Sequence, residues 1–101
     1  MPKKVRSKVV VYLEPRHIDQ GVRGNGGKCP AALAINDALP GAHKCWMGPL
    51  GVWVYRLPDD NLPTFIELPA AAAGFVRRFD SGQPVKPLSF TLKVPDWAVI
   101  A

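Results

Sequence analysis

The chain has 101 residues, 48% of them hydrophobic and 21% charged, with a formal net charge of +5. That is one domain of sequence with enough apolar content for a modest core, which excludes a disordered chain. No apolar run approaches the ~18 residues of a membrane span, and two cysteines are too few for a disulfide scaffold, so a cytoplasmic protein with free thiols is expected.

The charge is unevenly placed. Lys3, Lys4, Arg6 and Lys8 are four of the thirteen basic residues, whereas from Val9 onward nine basic residues meet eight acidic ones. Residues 1–7 therefore read as a flexible basic arm, able to add non-specific attraction to phosphate or simply to stay solvated. Residues 8–94 form the single domain, and residues 95–101 an apolar tail whose Trp97, Val99 and Ile100 should dock on the domain or on a partner.

Eleven prolines and nine glycines imply short elements and frequent turns. Lys8–Glu14 is β-branched and aromatic and predicts a strand, with Val9, Val11 and Leu13 on one face and Val10 and Tyr12 on the other. Pro15 ends it, and His17, Ile18 and Asp19 fit one helical turn. A glycine-rich basic loop, Gly21 to Lys28, then leads to a helix over Pro30–Leu39. Pro30 fixes φ at the first helical position, and Ala31, Ala34, Ile35 and Ala38 form its apolar stripe.

His43–Met47 and Val52–Leu57 predict a hairpin around the turn Gly48-Pro49-Leu50-Gly51. Thr64–Glu67 fits a short edge-like strand beyond an Asp- and Pro-rich turn that holds Asp59 and Asp60. A second helix should run from Pro69 to about Ser81. Its inward stripe is Leu68, Ala72, Phe75 and Phe79, Arg77 and Arg78 point outward, and Gly82 is its left-handed stop. Leu88–Val94 closes the set with Phe90, Leu92 and Val94 on one face. The order β-α-β-β-(β)-α-β predicts an α+β, ferredoxin-like fold, an antiparallel sheet with two helices on one face.

Three chemical constellations need weighing. The glycine loop is neither a phosphate loop nor a dinucleotide fingerprint. Val22 stands where the first glycine of a phosphate loop belongs, Cys29 replaces its hydroxyl residue, and Cys29 also takes the third glycine of the dinucleotide pattern. What remains is a structural hinge with Arg23 and Lys28 near a helix N-terminus, an arrangement suited to an anion or a secondary contact. Cys29 at that N-terminus would have its thiol pKa lowered by the helix dipole, and His17 upstream makes a Cys–His pair conceivable; the alternative is a small packed cysteine. His17, Cys29, His43 and Cys45 are every histidine and cysteine in the chain, but they lack the paired ligand spacings of zinc fingers, so no metal or other cofactor is expected. With eight scattered carboxylates and no nucleophile elbow, an enzyme is not predicted.

The third constellation is aromatic. If Val11, Val54 and Phe90 face the helices, then Tyr12, Trp53, Tyr55 and Lys93 face away, with Arg56 beside them. Exposed aromatics of this kind suit a protein or homodimer interface, a face covered by the Trp97 tail, or a surface on which bases stack.

Finally, His17-Ile18-x-x-Gly21, Cys29-Pro30-x-Ala32-x-Ala34 and Leu68-Pro69-x₅-Phe75-x₃-Phe79-Asp80-x-Gly82-x-x-Val85-x-Pro87-x-x-Phe90 follow one another in an order that resembles small uncharacterised proteins of tailed phages and prophages. The resemblance implies a phage-encoded accessory protein in the bacterial cytoplasm, of a size often used to block host machinery, including CRISPR and other defence complexes. The expected function is thus a small non-enzymatic binding protein that occupies a surface of a host protein or ribonucleoprotein complex. The alternative is binding of single-stranded nucleic acid or nucleotide through the aromatic face and the basic loop, and neither reading involves a membrane.

Overall fold

A computed structural model describes residues 6–41, 43–48, 50–57 and 63–99. The order is β1 (Arg6–Leu13), α1 (Pro15–Gln20), α2 (Pro30–Ala38), β2 (His43–Met47), β3 (Gly51–Arg56), β4 (Thr64–Glu67), α3 (Ala70–Asp80) and β5 (Leu88–Pro95), followed by a 3₁₀ turn over Asp96–Val99. The elements expected from the sequence are all present, within two residues at each end. The arm's boundary moves: Arg6 already belongs to β1, and residues 1–5 lie outside the described residues, as does the Asp59–Asp60 turn. No described helix is long and apolar enough to cross a membrane.

The class is α+β with antiparallel strands, but the strands make two sheets, β1-β5 and β2-β3-β4. A single ferredoxin-like sheet would place β1 against β3. Here the free edge of β3 is taken by β4, in the register Val52↔Ile66 and Trp53↔Phe65, so β1 pairs with β5 alone. β4 and β5 run close to each other without a ladder between them.

Alternation decides the faces. Val11 and Leu13, Cys45 and Met47, Val52 and Val54, Ile66, and Phe90, Leu92 and Val94 are buried on the inner side. α2 packs there on β1 and β2 through Ala31, Ala34 and Ile35, and α3 packs against β5 and α2 through Ala72, Phe75 and Val76. The alanines let α2 approach closely, and Phe75, 1% exposed, is the largest fully buried side chain. α3 ends in a Schellman motif: Gly82 N–H reaches the Phe79 carbonyl at 3.0 Å and Gln83 N–H the Arg78 carbonyl at 2.9 Å. Gly82 has φ +77°, which a side chain would strain.

The tail docks on its own domain. Ala98 is buried, its carbonyl accepts from Gly41 N–H at 2.9 Å, and Asp96 accepts from the Ser7 hydroxyl at 2.8 Å. Trp97 lies under the Arg56 guanidinium, 5.7 Å from ring centroid to Cζ. The described part of the tail, residues 95–99, therefore does not cover the outer side of the sheets. Ile100 falls outside the described residues.

Candidate functional site

The outer side of the three-stranded sheet is the surface with unexplained chemistry. Its outward positions are Lys44 and Trp46 on β2, Gly51, Trp53 and Tyr55 on β3, and Phe65 and Glu67 on β4. The ladders put Trp46 opposite Trp53 and Trp53 opposite Phe65, so three aromatic residues form one row across the strands. Trp46 is 50% exposed and Trp53 40%. Phe65 meets Trp53 at 4.8 Å between centroids with the rings tilted by 56°, within the separation at which aromatic pairs attract. Its ring also lies across Gly51, where any Cβ would meet Phe65 Cζ at 2.6 Å. Tyr55 stands beside the row with the Lys44 ammonium 6.0 Å from its ring.

Trp46 makes no ring contact with Trp53; it leans onto the glycine loop. A Cβ at Gly26 would meet the indole and the Met47 carbonyl, each at 2.8 Å, and Gly27 lies under the same ring. The loop is accordingly a docked support rather than a hinge. Val22 N–H bonds the Lys28 carbonyl at 2.8 Å, Met47 N–H bonds the Gly26 carbonyl at 2.7 Å, and Gly24 N–H reaches Asp80 at 3.2 Å. Asn25 Oδ1 accepts from Gly27 N–H at 3.0 Å and Lys28 N–H at 3.1 Å, so these amides are already occupied by a side chain of the loop itself. Gly26→Ala should push the loop off Trp46 and cost about 1–2 kcal/mol. Faster hydrogen exchange at the Met47 amide, with a lowered melting temperature, checks this.

The remaining expected residues separate. Tyr12, 63% exposed, points outward but lies on β1 opposite Ser89, in the other sheet and away from Trp53. Arg56 shares the parity of Val52 and Val54 and rests on Trp97, off the aromatic row. The Arg23 guanidinium sits over Gly82, about 3.3 Å from where its Cβ would be, at the negative end of α3. Lys93 is on the outer face, directly opposite Lys8. Lys28 is exposed at a hollow of about 520 Å³ that it lines with Asn36, His43, Lys44 and Trp46. A second hollow of about 550 Å³, lined by Arg6, Phe65, Glu67, Thr91 and Lys93, joins the outer sides of the two sheets where β4 meets β5.

The thiols and imidazoles are committed elsewhere. Burial pushes the Cys29 thiol up, outweighing the α2 amides of Ala32 and Ala31 that pull it down, so the helix dipole does not prevail there. Cys45 is pushed up to about 12, by burial first and by Cys29 second. His17 is buried, with Nδ1 accepting from Glu14 N–H at 2.9 Å and Nε2 2.7 Å from Asp37. His43 Nδ1 donates to the Gly41 carbonyl, and its Nε2 lies 2.9 Å from Asn36. Neither ring has a nitrogen left for Cys29 or a metal, and among the described residues no three His, Cys, Asp or Glu side chains gather as a metal set.

Trp46 and Phe65 are the site residues that the outward set Tyr12, Trp53 and Tyr55 leaves out. The signal for Trp46 is in the sequence: if His43 and Cys45 share one face of β2, Trp46 must occupy the other. Phe65 becomes part of the site only through the β3–β4 ladder, which no local pattern announces.

Fold and site together define a small α+β protein of two antiparallel sheets and three α-helices, carrying an aromatic sheet face that no described element covers. Comparison of the chain with protein-family models, curated proteins and solved structures finds no match.

Proposed function

We propose that this chain is a small non-enzymatic binding protein that acts by occupying a macromolecular partner through the outer sheet face. The observation that carries the reading is the row Trp46–Trp53–Phe65, supported by the glycine loop under Trp46 and left uncovered by every described helix and by the described part of the tail. Exposed rings on a rigid sheet are costly to leave wet, and they are the residue types that anchor interfaces. The engaged imidazoles and the raised thiols add no competing catalytic centre to this reading. The resemblance to phage and prophage proteins supplies the setting: a phage-encoded inhibitor in the bacterial cytoplasm that blocks a host protein or ribonucleoprotein complex, CRISPR and other defence complexes included.

Affinity capture from bacterial lysate tests this. Wild-type protein should retain a specific partner that the double variant Trp46→Ala, Trp53→Ala loses by at least tenfold, at unchanged circular dichroism. Full retention by the folded double variant would remove the face from the reading. Sedimentation of the purified protein shows whether the partner is a second copy of the chain.

A further inference from the structure

We propose that the occupant of this face is a single strand of nucleic acid that crosses the β-strands, with bases on Trp46, Trp53 and Phe65 and phosphates at the cationic hollows on either side. The inference rests on the outer face being the docking surface and names the chemistry of what docks.

Charge favours this occupant. Across both sheets the outward strand positions carry Arg6, Lys8, Lys44 and Lys93 against one acid, Glu67. Among the described residues the only ion pairs are those that join Arg16 and His17 to Glu14 and Asp37, beside Val10 and Tyr12 at the end of β1, so no described acid pairs with Arg6, Lys8, Lys44 or Lys93. Lys8 and Lys93 are direct cross-strand partners, an arrangement that costs stability in the free protein and is relieved by an anion between them.

The order of the groups along the face fits the same occupant. Lys28 and Lys44 flank the hollow at the Trp46 end of the row, and Arg6 and Lys93 outnumber Glu67 in the lining of the one at the Phe65 end. Strands in a sheet lie ~4.8 Å apart, so the row from β2 to β4 spans about 10 Å and suits two or three stacked bases. A backbone crossing it would deliver phosphates to cations at both ends.

The kind of apolar surface fits it too. Within β2, β3 and β4 every outward apolar side chain is a ring, and the exposed aliphatic residues Leu50, Leu57 and Val10 lie at the ends of β3 and on β1. Rings bordered by lysines match bases, each of which presents a π-face to stack and a phosphate to neutralise. An intact duplex keeps its bases stacked inside and has nothing to offer such a row.

Fluorescence anisotropy with 12-nucleotide labelled oligo-U and oligo-dT, and a 12-base-pair duplex, tests the proposal on the full chain. Binding of one or both single strands is expected, tighter than the duplex, and the RNA and DNA arms tell which sugar is taken. Four phosphate contacts give a salt slope of about −3 in log K against log salt. Trp53→Ala should weaken binding about tenfold with the slope kept. Lys44→Gln and Lys93→Gln, surface changes that leave the core intact, should each lower the slope by about 0.7. No single-strand binding at 20 mM salt, equal affinity for the duplex, or affinities indifferent to Trp53→Ala and both lysine changes would overturn it. If a nuclease-treated lysate still yields a protein captured through Trp46 and Trp53, the docking surface stands and its nucleic-acid occupant does not.

Discussion

Phe75→Ala should destabilise the protein by about 3–5 kcal/mol, the largest loss expected from any single core truncation here. Phe75 is 1% exposed and sits where α3 meets the inner side of the β1-β5 sheet, so its removal opens a cavity walled by packed side chains. A domain of this size has about 5–15 kcal/mol of stability in all, and the change should lower the melting temperature by roughly 15 °C or more. Two companions separate cavity from contact. Phe75→Leu keeps most of the volume and should cost less than about 1.5 kcal/mol. Phe79→Ala removes a half-buried ring that stacks on Phe75 at 6.3 Å and should fall between the two. The effect reaches the site because Asp80, at the end of α3, holds Gly24 of the loop on which Trp46 rests. Denaturant titration of the three variants, with tryptophan emission as probe, checks both the ranking and the coupling.

That chain of support shows which parts of the molecule were legible in the sequence. The face of β5 was readable because Phe90, Leu92 and Val94 alternate with polar residues, whereas β1 and β3 are apolar on both sides, and a slip of one residue would have reversed either of them. Helix limits were readable from Pro30 and from Gly82, each of which does one conformational job. Sheet partnership was not. β4 has four residues and proline on both flanks, and nothing local says that it, and not β1, takes the open edge of β3. The same limit hid Phe65 and misplaced Tyr12, because a residue's parity does not tell which strand lies beside it. The glycine loop misleads for a related reason. Its glycines signal freedom, but Gly26 is there so that an indole and a carbonyl can approach, a demand made by Trp46 twenty residues further on. The basic arm is the converse case: Arg6 looks like part of a solvated terminus until β1 places it on the face that also holds Lys8 and Lys93.

His17→Ala should cost about 3 kcal/mol, because His17 holds the start of α1 to the domain. Its imidazole is 1% exposed and stands at the third position of α1, where capping boxes usually place Glu or Gln. There Nδ1 accepts the Glu14 amide, so the ring proton lies on Nε2 and is donated to the Asp37 carboxylate, 2.7 Å away. Truncation leaves both a cavity and a backbone N–H without its acceptor. His17→Gln restores an acceptor for Glu14 and should recover about half the loss, an outcome that neither a ligand role nor a base role would produce. The same bond sets the acid response. The His17 hydrogen bond, followed by Arg16, holds the Asp37 carboxyl below its ordinary range, against the opposing effect of burial. A carboxyl that is more acidic folded than unfolded stabilises the fold above its unfolded pKa and loses that contribution as the pH falls through its folded one. Stability should therefore drop below about pH 4 in the wild-type chain, and Asp37→Asn should flatten that part of the curve while lowering stability at pH 7. Urea midpoints from pH 7 down to pH 3 measure both. A steep acid limb unchanged by Asp37→Asn would assign the response to other carboxylates.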